Sequence, residues 1–324
     1  MRTLYSAILL VASFASAYAQ QQKASEEFPS RSIRIIIPFE PGGATDFLAR
    51  PWAAKMSESL GQSVVVENKG GANTILGTGE VARAQPDGYT LLIMPPNFLT
   101  NPALTTTMPY KTPQDFESVG LLVKYPQVLV ARKEFPANNI SELIALAKKD
   151  PNKITLASSG AGTQAHLSGE LLMQMAGINL VHVPFKGAGP AISSLAGGHV
   201  DLLFTAMSTA GPELESRNVK LLGTTSISRL PGLPNVQTID EQGLSGFEAY
   251  VSYGVIAPAK TPRPIIDRLN KEISRAVNDP AVLKQLSTLG GDVRVSSADE
   301  MDKFLTSELT KWTALIQKAG IKPQ

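Results

Sequence analysis

Two glycine-rich turns in the first quarter of the chain carry residue types suited to holding an anion. An apolar run at 33–39 ends at Phe39, the pair Gly42 and Gly43 follows, and a helix is expected to open near Asp46. Glycine permits a sharp turn that brings backbone N–H groups to the surface, and the first amides of a helix have no intrahelical partner. This pattern, repeated at 70–77 with Asn73 and Thr74, predicts a site for a carboxylate or phosphate.

Two further turns of the same kind follow later strand candidates. One reads SSGAGT at 158–163, offers Ser158, Ser159 and Thr163, and leads into a helix from about Gln164; the other reads FKGAGP at 185–190. In open α/β sheets such turns gather beyond the carboxyl ends of the strands, where ligands bind. The turn at 185–190 carries Lys186 and Gly187. Lys186 is either the cation that pairs with a ligand carboxylate or a solvated loop lysine.

The elements that must position these turns alternate between strand and helix. Strand candidates are 33–39, 64–67, 90–94, 154–158, 180–185, 200–205 and 220–224. Between them, apolar residues recur every four positions, as on one face of a helix; one such stripe is Leu48, Trp52, Met56 and Leu60. Pro51 falls inside that stripe and is expected to kink or restart the helix. The alternation predicts an α/β protein with largely parallel sheets. Asn97 follows the strand candidate at 90–94, and Thr205 ends the one at 200–205. Both are further candidate ligand residues.

Two long extended runs look like crossings between domains. They lie at 117–132 and 247–257, and the tail ends in a helix that Ser297 and Glu300 open with a capping box. We therefore expect a discontinuous first domain at 20–123 and 254–324, and a second domain at 124–253. A cleft between them would surround a ligand with amides and hydroxyls from both sides.

Three sequence blocks resemble the Bug-type solute receptors of tripartite tricarboxylate transporters. They are P-G-G-x-x-D-x-x-A-R from Pro41, V-E-N-K from Val66, and A-x-P-D-G-Y-T-L-L from Ala84. The resemblance implies a two-domain periplasmic binding protein of type II, the Venus-flytrap fold, with an interdomain cleft. It implies capture of a small organic carboxylate and delivery to membrane permease subunits, with no cofactor and a monomeric state.

The same resemblance implies roles for individual residues. Phe39, Gly42, Gly43 and Asp46 belong to the turn that holds a ligand carboxylate, in which Asp46 caps the helix or orients amides and water rather than touching the anion. Thr74 stands where the family has a glycine, and its hydroxyl is expected to tune ligand choice.

The family pattern S-x-G-x-G-T-x-x-H-L is matched from Ser158 to Leu167, so Ser158, Ser159 and Thr163 would reach the ligand. His166 is either a ligand contact or a packing and capping residue. In the second crossing the family often has Trp two places before a glycine, whereas this chain has Ser252 before Tyr253 and Gly254. We therefore expect a ring at the cleft border to be missing.

The first 19 residues predict a secretory signal peptide. Arg2 is followed by a short apolar stretch and by the small-x-small site Ala17-Tyr18-Ala19. The chain has no cysteine, which excludes disulfides, thiolate ligands and a lipidated cysteine anchor. We expect a soluble, unlipidated protein in the periplasm. A net charge of +2 without a Lys/Arg run argues against a nucleic-acid partner.

Enzyme interpretations find little support in the motifs. The serines at 158 and 159 lack the G-x-S-x-G elbow. The G-x-G-x-x-A segment at 160–165 lacks the acidic residue about 20 positions on that a dinucleotide site requires, and the three histidines lack metal-ligand spacing. A periplasmic receptor that docks on a signalling sensor protein, instead of a permease, remains an alternative because both need only a ligand-closed surface.

Overall fold

A computed structural model describes residues 28–287 and 292–323 of the chain. The predicted signal peptide lies outside these residues. Within the described ranges, no helix combines the length and apolar character needed to cross a membrane.

The described chain forms two mixed β-sheets covered by helices. The strands are β1 (Ile33–Ile37), β2 (Val64–Asn68), β3 (Thr90–Met94), β4 (Phe116–Pro126), β5 (Val128–Arg132), β6 (Thr155–Ser158), β7 (Val181–Pro184), β8 (Leu202–Thr205), β9 (Val219–Thr224), β10 (Tyr250–Pro258) and β11 (Asp292–Val293). The helices are α1 (Ala44–Leu60), α2 (Ile75–Ala82), α3 (Asn101–Leu104), α4 (Ile140–Lys149), α5 (Gln164–Ala176), α6 (Ala188–Ala196), α7 (Met207–Glu215), α8 (Arg263–Val277), α9 (Pro280–Ser287) and α10 (Ala298–Lys318), with a 3₁₀ turn at Pro96–Leu99.

The larger sheet has the strand order β11-β4-β10-β3-β1-β2, and the smaller has β7-β6-β8-β5-β9. Strand β1 pairs in parallel with β2 and β3, and β6 pairs in parallel with β7 and β8. Each parallel pair is joined through a helix, as parallel pairing requires. The carboxyl ends of these strands carry the four predicted turns.

Two adjacent antiparallel strands connect the sheets. Strand β10 pairs with β4 from Tyr250 opposite Pro126 to Pro258 opposite Phe116. The chain then continues from β4 through Gln127 into β5 of the smaller sheet. The predicted crossings fall on these strands. The predicted boundaries at 123/124 and 253/254 remain predictions, and the pairing places 124–126 and 250–253 in the larger sheet.

Helix α1 packs its apolar stripe against the larger sheet. Leu48, Trp52 and Met56 are buried and Leu60 is partly buried in the same cluster. The helix continues through Pro51 without a break, so the expected restart does not occur. Proline removes one helical hydrogen bond, to the carbonyl of Phe47. The Phe47 side chain is 41% exposed, so that carbonyl lies on a face where solvent can pair it.

Helix α10 begins with the predicted capping box. The Ser297 side chain accepts a hydrogen bond from the Glu300 amide, and the Glu300 carboxylate accepts one from the Ser297 amide. The helix packs against β4 and also against α5 of the smaller sheet. Its buried Trp312 donates to the Glu308 carboxylate at 2.7 Å. Helix α10 therefore connects the two lobes built on the two sheets.

The capping box predicts a local contribution to stability. Ser297→Ala should lower the free energy of unfolding by about 1 kcal/mol, because the first-turn amides lose their acceptor. Urea denaturation measures the change. Ser307→Ala, at an exposed position of the same helix, is the control and should be neutral or slightly stabilising. Equal losses in both variants would contradict a capping role.

Candidate functional site

A cavity of about 350 Å³ lies between the two lobes. It is lined by Phe39, Pro96, Asn97, Tyr125, Gln127, Ser159, Thr163, Gln164, Ala165, Ala188, Phe204, Thr205, Ala206, Ser208, Thr209, Val251 and Tyr253. None of these lining residues carries a charge. Five predicted site residues are among them: Phe39, Asn97, Ser159, Thr163 and Thr205. The other nine lie behind the cavity wall or beside it.

Three helices of the smaller lobe begin at the cavity. Helices α5, α6 and α7 start at Gln164, Ala188 and Met207, and none of their N-cap residues caps its helix with a side-chain hydrogen bond. Their first-turn amides point out of the helices toward this end of the lobe. Partial positive charge at helix N-termini favours an anion by about 0.3–1 kcal/mol each. The cavity can therefore attract a carboxylate without a lysine or arginine in its wall.

The first predicted turn is held from behind by Asp46. One oxygen of its buried carboxylate accepts from the Gly42 amide at 3.2 Å and from Asn68 Nδ2 at 3.0 Å. The other oxygen accepts from Arg50 Nε at 2.8 Å. Asp46 thus orients the turn, as expected, and it uses the Gly42 amide internally. Whether the turn contacts a ligand stays a prediction.

The two glycines of this turn differ in backbone conformation. Gly42 has φ +89°, in the left-handed region that favours glycine. Gly43, the N-cap of α1, has φ −86° and ψ −179°, which any residue can adopt. The expectation that both glycines are needed for the sharp turn is therefore wrong for Gly43, whose small size matters only if a ligand approaches closely.

Three asparagines hold the second turn. Asn73 Nδ2 donates to Asn101 Oδ1 at 2.9 Å, and Asn101 Nδ2 donates back to the Asn73 carbonyl at 2.9 Å. Asn97 donates to Asn73 Oδ1 and also lines the cavity. Thr74 is buried, with Asn101 Nδ2 3.4 Å from its hydroxyl. Asn73 is exposed, neither residue lines the cavity, and their contact with ligand stays a prediction.

The third turn is fixed by hydroxyls and histidines. Thr163 Oγ1 donates to the Gly160 carbonyl at 2.7 Å, and Ser159 Oγ donates to Thr163 Oγ1 at 3.3 Å. Ser158 is buried beneath them, and its Oγ lies 2.7 Å from His182 Nε2. Of the two serines, Ser159 faces the cavity and Ser158 supports the turn.

The predicted ligand residue His166 lies behind the same turn. It is buried, and its Nδ1 accepts from the Gly162 amide at 3.0 Å. Its ring stacks on that of His182, with centroids 3.8 Å apart and planes 12° from parallel. Burial, and then the neighbouring His166, lowers the pKa of His182 to about 4. The geometry favours the packing and capping alternative for His166.

The fourth turn contributes its backbone more than its lysine. The Gly187 amide donates to the Ser159 carbonyl at 3.1 Å, which joins the third and fourth turns. Lys186 is exposed and is not a lining residue. Its pairing with a ligand stays a prediction that requires movement of the side chain toward the cavity.

Aromatic rings border the cavity where a missing ring was expected. Tyr125 and Tyr253 stack with centroids 6.4 Å apart, and Phe39 and Phe204 add two more rings. Ser252 is buried on the other face of β10, because neighbouring strand residues point to opposite sides. The cavity border therefore carries rings from other positions, and the effect of Ser252 in place of the family Trp stays a prediction.

Burial raises the pKa of the Tyr253 hydroxyl, and the neighbouring side chains of Thr45 and Tyr125 act in the opposite direction. The stacked pair is thus linked to the first turn of α1, which carries Thr45. A neutral phenol in this position keeps its proton and can donate it in a hydrogen bond.

Sequence reasoning missed several polar lining residues. Gln127 is 4% exposed, and its Oε1 accepts a hydrogen bond from Ser168 at 2.7 Å. Its Nε2 therefore points away from Ser168. Gln164 carries a buried Nε2 without a partner in the described chain. Their positions in the sequence could have identified them, since Gln127 lies inside an apolar crossing run and Gln164 at the start of a helix. Ser208 and Thr209 lie in the first turn of α7, which follows β8 after Ala206 alone, without a glycine.

Within residues 28–287 and 292–323, no cluster of His, Asp and Glu is arranged to hold a metal ion.

The Asp46 network predicts coupled stability and binding. Asp46→Ala removes the acceptor of the Gly42 amide and one of the acceptors of Asn68 and Arg50, so the free energy of unfolding should fall by about 2 kcal/mol. Affinity for carboxylates should fall with it, because the turn loses its shape. Chemical denaturation and calorimetry measure the two effects.

Asp267→Ala is the matched control, since that exposed carboxylate pairs with Arg263 four residues away on a helix surface and contributes little. If Asp46→Ala behaves like the control, the network does not fix the turn.

Comparison with known proteins places this geometry in one family. The model of the tripartite tricarboxylate transporter family receptor matches residues 48–321. The solved structure of the periplasmic binding protein BugD is 39% identical, with a TM-score of 0.72, over 92% of this chain and 100% of that one. Rpa4515 of R. palustris, solved with adipate, is 32% identical with a TM-score of 0.76, over 92% and 100%.

MatC of Rhodopseudomonas palustris, solved with bound malate, is 32% identical with a TM-score of 0.71, over 89% of this chain and 100% of that one. These proteins are binding receptors and not enzymes, which confirms the expected class, and their likeness confirms the two-domain periplasmic binding fold. This chain therefore belongs to the tripartite tricarboxylate transporter receptor family.

Proposed function

We propose that this chain is exported to the periplasm by its first 19 residues, captures a small organic carboxylate between its lobes and delivers it to a tripartite tricarboxylate-type permease. The observation that carries the proposal is the uncharged cavity onto which three helix N-termini open. The adipate and malate in two related structures support the same ligand class.

The cavity wall suggests how a carboxylate is bound. Its hydroxyl and amide side chains, with the free first-turn amides, supply hydrogen-bond donors, while the rings of Tyr125, Tyr253, Phe39 and Phe204 cover the carbon skeleton. Hydrogen bonds to a charged acceptor contribute about 1.5–3 kcal/mol each. Several such bonds offset the cost of removing the carboxylate from water.

Delivery requires that the membrane partner distinguish loaded from empty receptor. The ligand contacts residues of both lobes, so it stabilises the closed form by the difference between its affinities for closed and open forms. We propose that domains 20–123 with 254–324 and 124–253 close on each other about the paired strands β4 and β10.

Thermal unfolding against a carboxylate panel tests the proposal. The mature protein is refolded to strip bound ligand and then heated with adipate, malate, citrate, acidic amino acids and aromatic acids. A ligand at 100 times its Kd adds about 2.7 kcal/mol of stability, which should raise the Tm by several degrees. The matching uncharged amides, such as adipamide, should give no shift. A folded protein that responds to no carboxylate would contradict the ligand class.

Thr205→Val is the matched variant for the same assay. Thr205 is 4% exposed and lines the cavity, and its hydroxyl has no hydrogen bond to the rest of the described chain. The substitution keeps the shape and removes the donor, so affinity should fall by about tenfold or more. Thr107→Val, at an exposed position, should leave affinity unchanged. Equal affinity in both variants would remove Thr205 from the site.

Uptake of the identified carboxylate tests the transport role. Cells that lack this protein should lose high-affinity uptake and regain it with the wild-type chain, but not with Asp46→Ala. Normal uptake, combined with loss of a transcriptional response to the same carboxylate, would favour the sensor alternative.

A further inference from the structure

Two stacked histidines lie directly behind the turn at 158–163. His166 belongs to α5 and His182 to β7, and neither lines the cavity. Each makes a hydrogen bond to a residue of the turn, whose other face carries Ser159 and Thr163 at the cavity. The pair therefore supports the turn from two different elements.

The contacts of His166 define its protonation state. Its Nδ1 accepts the Gly162 amide proton at 3.0 Å, so this nitrogen carries no proton. Its Nε2 lies 3.3 Å from the Glu170 carboxylate, which needs a donor there. Both contacts are satisfied by the neutral ring protonated at Nε2. A second proton would set Nδ1–H against the Gly162 N–H, and two donors cannot bond to each other.

His182 supports the other end of the turn through Ser158. Its Nε2 lies 2.7 Å from Ser158 Oγ, which also lies 3.0 Å from the Gly160 carbonyl and accepts from the Gly160 amide at 3.2 Å. This ring is held neutral, since burial and the facing His166 lower its pKa to about 4. Glu170 acts in the opposite direction.

The surrounding elements supply little other charge. Strands β6 and β8, which pack against α5, carry no titratable side chain. On α10, which also packs against α5, Glu308 and Lys311 pair with each other at 3.2 Å. Glu170 and the partner ring are the charged or titratable groups that act on His182.

We propose that His166 and His182 are positioning residues for ligand binding, which hold the turn at 158–163 in its binding shape while both rings are neutral and release it when the pair takes up a proton. The link to ligand rests on the proposed function, whereas the link to the turn does not. Protonation breaks the Gly162 bond and places a positive charge against the stacked ring 3.8 Å away. Ligand affinity should therefore fall in acid.

The turn can be tested without any ligand. In ¹H–¹⁵N spectra of the apo protein, the Gly160 and Gly162 amide signals should shift between pH 7.5 and 3.5 together with the ring signals of the two stacked histidines. Amide signals that stay constant while the rings titrate would overturn the proposal. His199→Gln removes the third histidine, which is exposed, and should leave the titration unchanged.

Two substitutions at position 166 separate positioning from packing at a single pH. His166→Asn places an amide oxygen where Nδ1 lies, so the Gly162 signal should stay near its wild-type position and lose its dependence on pH. His166→Leu fills the space without an acceptor, so the signal should already be displaced at pH 7.5. If the Gly162 signal behaves the same in both variants, His166 acts only through packing.

Affinity provides the functional readout, with adipate and malate as probes. Wild-type affinity should fall more steeply between pH 7.5 and 4.0 than the affinity of His166→Asn, which corrects for protonation of the ligand itself. An equal change in both proteins, or tighter binding by the wild type in acid, would overturn the effect on ligand. If neither probe binds at any pH, adipate and malate are not ligands of this chain, while the apo titration still decides the role of the histidines.

Discussion

Backbone amides that bind an anion must be aimed by something other than themselves. An N–H group has no rotamer of its own, so its direction is set by the turn that carries it. In this protein three of the four turns are held in part by side chains that do not line the cavity. Asp46 holds the Gly42 amide, Asn101 holds the Asn73 carbonyl, and His166 holds the Gly162 amide. Because these side chains bond to the turns, they do not fill the cavity, and it can remain open.

This arrangement explains why the lining carries no charge. A buried cation would have to be desolvated in the empty receptor and would lack a partner there. Helix N-termini supply positive potential at a lower desolvation cost, because they carry only a partial charge. The ionised pair Asp46 and Arg50, and Glu170 beside the neutral ring of His166, are not among the lining residues. Their work is to maintain geometry, so the field at the ligand comes mainly from the backbone.

The crossing strands add a second constraint. Strands β4 and β10 join the lobes and also carry Tyr125, Val251 and Tyr253 into the cavity wall. The same two strands thus form both the connection between the sheets and part of the binding surface. Any relative motion of the lobes changes the position of these rings, which links ligand contact to closure. Helix α10, packed on both lobes, limits how far they can separate.

The sequence by itself determined the alternation of strands and helices, the capping box at Ser297 and the family, because these depend on local patterns and short motifs. It also located the four turns, although it could not rank their residues. Only the tertiary structure decided that Ser159 faces the cavity while Ser158 lies beneath it, and that the ring of Tyr253 lines the cavity. The structure also showed Gln127 and Gln164 at the cavity wall. Such assignments depend on which side of a strand or turn faces the other lobe, and that is set by contacts between residues far apart in the chain.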